Sequence, residues 1–182
     1  FFILLTYFII YSILGWILES VFRSICERKL INTGFLKGPF CPIYGVGALI
    51  MILLLSRFEN NIILLFVISF LTFWEYVVGI FLEKAFNTKY WDYSDHKFNI
   101  QGRICLNNSI YWGILGVLFI KYIHPFISGK IDLIIDNEYF MVVIYLITAI
   151  MLVDAINSVI KVKNISGTLE KIDKLNEKIK EK

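Results

Sequence analysis

Four acidic side chains interrupt long apolar stretches of this 182-residue chain: Glu19, Glu75, Glu83 and Asp154. A charge at the centre of a bilayer costs about 2.5–3.5 kcal/mol on insertion scales, so an acid there is a functional candidate by default. Such groups can hold a cation, pass a proton or bind an amine. The competing structural role is an ion pair or a hydrogen-bonded helix contact. Glu19 is one turn from Arg23, and Glu83 adjoins Lys84, so a pair with Arg23 or Arg103 competes for both. Glu75 lies roughly 12 Å from Glu83 along a helix at 1.5 Å per residue. Asp154 stands seven residues before Lys161, and no basic residue is near either deep acid in sequence.

Spacing groups these acids into stripes. Glu75, Gly79 and Glu83 recur at i, i+4, i+8 and share a helix face, as do Tyr11, Gly15, Glu19 and Arg23. Asp154, Asn157, Ser158 and Lys161 make a third polar stripe. With no base deep in any span, the stripes predict an acidic cavity suited to a cation, a proton or an amine-bearing solute.

Two loops form a second constellation. The first carries Gly38, Cys41 and Tyr44 within GPFCPIYG, and the second carries Trp91, Asp92, Asn99 and Arg103. Prolines and glycines favour turns over a simple helix start, and aromatic residues suit the membrane interface. The two loops read as a lining or gate at one mouth of the bundle. Cys26, Cys41, Cys105 and His96 raise the question of zinc. They lack C-x-x-C spacing, so small packed residues are the preferred reading and no metal is expected. No phosphate-binding loop, H-E-x-x-H or G-x-S-x-G motif occurs, so no cofactor is implied. His96 and His124 are expected on opposite sides of the membrane.

The elements that must position these groups follow from composition. Apolar residues make up 58% and charged residues 18%, with a mean hydropathy of +0.70. This excludes a disordered chain, a coiled coil and a nucleic-acid-binding domain. Five segments are long and apolar: residues 2–22, 42–56, 62–82, 110–127 and 139–160. They are continuously apolar rather than alternating, which favours helices over barrel strands. The first lacks a basic leader and a small-residue cleavage site, so it is taken as a span. The fold class is thus an all-α, five-span bundle: a transmembrane domain over 1–161 and a tail over 162–182.

Fifteen of the eighteen basic residues lie in the first and third loops and the tail. The positive-inside rule then places the N-terminus outside and the C-terminus in the cytoplasm. In the tail, Ile165, Leu169, Ile172, Leu175 and Ile179 recur at helical spacing, and Ser166 or Thr168 is the expected cap of a separate amphipathic helix.

The chain also repeats itself. Residues 15–22 and 79–86 share G-x-x-L-E-x-x-F at an offset of 64, and Gly38 and Cys41 meet Gly102 and Cys105 at the same offset. Four residues later in the second copy, Tyr44-Gly45 aligns with Trp112-Gly113. The pattern predicts a tandem parallel repeat, about 4–57 and about 62–127, with the fifth helix outside it.

The run GPFCPIYGVG, the helix-end Glu83, WDYS, N-x-x-G-R-x-C-L and Tyr111-Trp112-Gly113 resemble a family of small bacterial multi-pass membrane proteins, the putative ABC-transporter type IV permeases. The resemblance covers about residues 4 to 160. It implies a multi-pass permease of the bacterial plasma membrane served by a separate ATPase. The expected partners are the lipid bilayer and either that ATPase or further copies of the chain, and the composition leaves no nucleic-acid partner. Two readings compete. One is an intramembrane enzyme acting on lipid head groups, with Asp92 and Arg103 as its pair. The other is a non-catalytic partner or sensor working through the tail.

Overall fold

The computed structural model describes residues 1–55 and 62–180, with side chains for 1–53 and 66–164. The described backbone is helical apart from loops and one minimal hairpin. In order come α1 (Phe2–Glu27), α2 (Pro42–Leu55), α3 (Ile62–Phe86), β1 (Asn99–Ile100), β2 (Ile104–Cys105), α4 (Leu106–Leu118), a π-helical turn (Phe119–Ile123), α5 (His124–Ile131) and α6 (Glu138–Lys180). The two strands pair antiparallel, Asn99 with Cys105 and Ile100 with Ile104.

Among the described residues four helices are long and apolar enough to cross a membrane: Phe2–Glu27, Phe66–Phe86, Leu106–Ile131 and Glu138–Asn164. The remaining apolar segment forms α2, whose 14 residues span about 21 Å at 1.5 Å per residue. Its expected end at Ser56 lies outside the described residues. The outer surface suits lipid. Val142, Leu146, Val153 and Ile160 of α6 are all more than half exposed, a surface that water would not tolerate over so long a helix.

The packing is pairwise: α1 with α2, and α3 with α4, with α2 meeting α3 between the pairs and α6 against α1. Glycine makes the close crossings possible. Gly45 of α2 lies against Phe8 and Ser12 of α1, and Gly113 and Gly116 of α4 lie against Ile68 and Val67 of α3.

α2 starts beside the middle of α1. The Cys41 N–H donates to the Ser12 carbonyl at 2.9 Å. The chain reaches that depth by folding back. α1 ends at Glu27 with Arg28 in the left-handed region, φ 50°. Residues 28–41 then return along α1, fixed by Trp16 Nε1 to Asn32 Oδ1 at 2.6 Å and by the Ser20–Thr33 hydroxyl pair at 2.9 Å. Leu36, Phe40 and Met151 of α6 bury together with Ile9 beneath this returning segment.

The fourth apolar segment is one continuous span with a local fault. The His124 N–H bonds back to the Phe119 carbonyl, an i to i+5 closure. Pro125 lacks an N–H and its ring crowds the preceding turn, so the ladder must loosen there. The last helix departs more strongly from expectation. α6 runs unbroken through 43 residues, about 65 Å at 1.5 Å per residue, and Ser166 and Thr168 lie inside it rather than at a helix start. The apolar stripe expected in the tail concerns side chains outside the described residues.

Candidate functional site

A cavity of about 310 Å³ opens where the two helix pairs meet. α1 contributes Tyr11, Gly15 and Leu18 to its wall, α2 contributes Tyr44, Gly47 and Met51, and α3 contributes Trp74 and Glu75. α4 and the π-turn close it with Trp112, Gly116, Phe119 and Ile123. Nearly every wall atom is apolar, and Glu75 is the acid among them.

Glu75 is 5% exposed. The Tyr93 hydroxyl donates to its Oε1 at 3.0 Å, while its Oε2 is buried with no hydrogen-bond partner among the described residues. The Trp112 side chain lies beside it. Tyr93 belongs to the loop over residues 87–105, so this loop reaches deep into the helical layer. Burial is the main reason the Tyr93 hydroxyl has its pKa raised, and the Glu75 carboxylate adds to the shift.

The other acids serve different partners. Tyr44 of α2 donates to Glu19 Oε2 at 2.6 Å, locking the α1–α2 crossing at Gly15. Arg23 pairs with Glu27 at 2.9 Å rather than with Glu19. Arg103 binds Glu83 Oε2 through Nε at 2.9 Å and Nη2 at 2.5 Å, and it also reaches Gln101. Asp154 accepts the Gly38 N–H at 2.8 Å, which ties α6 to the returning loop. The structure therefore brings Glu75 to the cavity, with Glu19 behind Tyr44, and sets Glu83 and Asp154 against the two loops.

The second loop has a readable internal logic. Asp92 accepts the Ser94 N–H at 3.0 Å and hydroxyl at 2.5 Å, and Lys89 at 3.2 Å. These bonds, led by the Ser94 hydroxyl, hold its carboxyl down to about 2. Asn99 donates to the Ser94 and His96 carbonyls at 3.1 and 2.8 Å and accepts the Gly102 N–H at 3.0 Å. The Tyr93 N–H donates to the Gly102 carbonyl at 2.7 Å. Trp91 Nε1 donates to the Arg103 carbonyl at 2.9 Å and its ring packs by Gly79. Asp92, Asn99 and Gly102 thus knit a frame that presents Tyr93 to Glu75 and Arg103 to Glu83. Asp92 and Arg103 are each engaged elsewhere and make no acid–base pair with one another.

Cys41 and Cys105 are buried next to the starts of α2 and α4, and Cys26 is exposed at the end of α1. Burial pushes the Cys41 thiol up to about 12, with Glu19 adding to it. Among the described residues no three His, Cys, Asp or Glu side chains gather as metal ligands would.

One cluster escaped sequence reasoning. His124 Nδ1 and the Tyr11 hydroxyl lie 2.7 Å apart, with Tyr7 and Phe119 rings around them. Pro125 in an apolar span signals a distorted turn, and Tyr7, Tyr11 and Gly15 at steps of four supply a polar face on α1.

A family model described as Putative ABC-transporter type IV matches residues 6–159. The chain belongs to this family. No curated protein and no solved structure matches it. The ABC-transporter type IV family and the apolar helices together make this a membrane protein of transporter type. In this family member the WDYS and N-x-x-G-R-x-C runs are the frame just described, and the cysteine that ends the second run, Cys105, stands at the N-cap position of α4.

Proposed function

We propose that this chain is a permease subunit of the bacterial plasma membrane and that its solute path is the cavity between the two helix pairs. The observation that carries the proposal is Glu75: a buried acid in the cavity wall, tethered by Tyr93 from a loop. Glu75 is the contact for a cationic solute or coupling proton, with Glu19 next to it behind Tyr44. Glu83 and Asp154 act at a distance by anchoring the loops that carry Arg103 and Gly38. Trp91, Asp92 and Asn99, with Cys41 at the start of α2, form the gate at the cytoplasmic mouth.

The packing supports a tandem repeat beneath this path. Cys41 and Cys105 each directly precede the second helix of a pair. Each of those helices lies beside its predecessor and crosses it at a glycine, Gly45 or Gly113. In this reading α2 is a fifth, short span, the N-terminus is outside and the extended α6 projects into the cytoplasm. There it offers a contact to a separate ATPase or to a second copy.

The test is solute accumulation in cells with and without the chain, repeated with Glu75→Gln. Loss of the difference at unchanged levels of folded protein supports the path. Undiminished accumulation with unchanged pH dependence removes Glu75 from it.

A further inference from the structure

We propose that the cavity binds a lipophilic amine, a molecule with an apolar body and one protonated nitrogen, which enters sideways from the bilayer. The proposal rests on the reading of this cavity as the solute path and names the class of solute.

Three observations converge. The first is the supply of polar groups. Tyr11 spends its hydroxyl on His124, Tyr44 on Glu19, and Trp74 donates its ring N–H to the Ile43 carbonyl at 3.3 Å. That leaves Oε2 of Glu75, with the Trp112 ring beside the carboxylate, as a buried acceptor that no described residue meets in full hydrogen-bond geometry. A buried acceptor calls for a donor, and a charged donor makes the stronger bond. One vacant oxygen in an otherwise apolar wall matches one nitrogen on an otherwise apolar molecule. A hydrated cation would have to shed its water with no ring of oxygens to replace it.

The second is the sign of the charge. Among the described residues no Lys or Arg lines the cavity, and Arg103 is held by Glu83. An anion has nothing to meet there. The third is access. Leu14, Ile17 and Leu18 belong to the cavity wall and are also 39%, 43% and 43% exposed. The wall therefore runs on into the outer apolar surface that faces lipid. At about 310 Å³ the space suits a small drug-sized body rather than a whole phospholipid.

The test uses the full chain in phosphatidylcholine nanodiscs, with empty discs as the baseline. Equilibrium dialysis measures 4-phenylbutylamine, 4-phenylbutanol and choline. The amine is expected to bind saturably and about 10-fold tighter than the alcohol, as one charge-assisted bond would give. Glu75→Gln should erase that difference and leave the alcohol unchanged. Gly47→Leu should exclude both, because a side chain there meets only Trp74 and Leu71 at 3.7–4.0 Å and otherwise fills the cavity. If that variant misfolds, Leu18→Trp on the exposed wall blocks the same opening. Equal binding of amine and alcohol, indifference to Glu75→Gln, or no saturable amine binding each overturns the proposal. Accumulation in cells with and without the chain, where its partners are present, separates it from the permease reading. Choline accumulation without amine binding spares the permease and sinks the lipophilic solute. Amine binding without any chain-dependent amine accumulation spares the site and sinks the permease.

Discussion

The Tyr93 hydroxyl bonds the Glu75 carboxylate at 3.0 Å, joining a loop that follows α3 to a point eleven residues inside that helix. Loop position and carboxylate environment are therefore one variable. Removing the hydroxyl leaves both Glu75 oxygens buried without that donor. Tyr93→Phe should lower stability by about 1–3 kcal/mol, the usual cost of a stranded buried polar group. Thermal unfolding in nanodiscs checks the magnitude. Faster amide exchange across residues 87–105 checks that the loop is what loosens, and an unchanged exchange pattern would deny the tether.

Gly102 sits at φ +69° with Asp92 and Ser94 packed where a side chain would stand. Gly102→Ala should cost at least about 1 kcal/mol through strain alone and more through the collision. The expected signature is specific: protease cleavage appears within residues 87–105 while the helices remain intact by circular dichroism. Cleavage no faster than in the parent chain would mean the loop does not depend on this frame.

Asp92 gives the same frame a pH dependence. Its folded-state carboxyl is held at about 2, below its ordinary value of 3.8. A depressed pKa contributes stability that is present above about 3.8 and is lost as pH falls towards 2. Ser94 amide exchange should thus stay slow at pH 5 and quicken between pH 4 and 2. Asp92→Asn should flatten that response. A parent chain with a flat profile over this window would show that the Ser94 bonds are not what orders the loop.

Much of this was legible beforehand, for identifiable reasons. Long apolar runs announce helices because lipid leaves the backbone no other partner. The loop residues Asp92, Asn99, Gly102 and Arg103 announced a turn-rich unit because their side chains bond locally. The partners of the acids were not legible. That Glu83 meets Arg103 and Asp154 meets the Gly38 N–H depends on the path of the loops, and nothing local encodes how far residues 28–41 fold back along α1. The polar stripes suggested an acidic cavity, but of the four acids only Glu75 stands in this wall, while Glu19, Glu83 and Asp154 are engaged by Tyr44, Arg103 and the Gly38 N–H. The expected break before Ser166 failed for a simpler reason. Ser and Thr also fit a helix interior when the segments on both sides are helical.

The Glu83–Arg103 pair is partly exposed, at 31% and 20%, so its worth is limited by screening. A double-mutant cycle with Glu83→Gln and Arg103→Gln should give a coupling of about 1 kcal/mol. Its consequence should be positional rather than energetic. Breaking the pair frees the second strand of the hairpin and, with it, the start of α4 at Leu106. Reaction of Cys105 with a thiol reagent measures that, since Cys105 is buried at 2% exposure in the intact protein. Reactivity that stays at the parent level in both single variants would place the anchor elsewhere.

The Tyr11–His124 contact allows a sharper test, because buried Tyr11 and half-buried His124 share one aromatic cluster with Tyr7 and Phe119. Replacing His124 by Phe keeps a ring against Phe119 and Tyr7 but removes the nitrogen that faces the Tyr11 hydroxyl. A buried hydroxyl left alone costs about 1–3 kcal/mol, whereas removing both polar partners is nearly neutral. His124→Phe should therefore destabilise the protein, and adding Tyr11→Phe should restore most of the loss. Pro125→Ala probes the same contact from the backbone. It returns an N–H to the ladder, relaxes the π-turn towards an α-turn and swings His124 away from Tyr11. Its loss should match that of His124→Phe, and it too should be recovered by Tyr11→Phe. Additive losses in either pair would mean that the 2.7 Å contact carries no coupling and that the proline acts on packing alone.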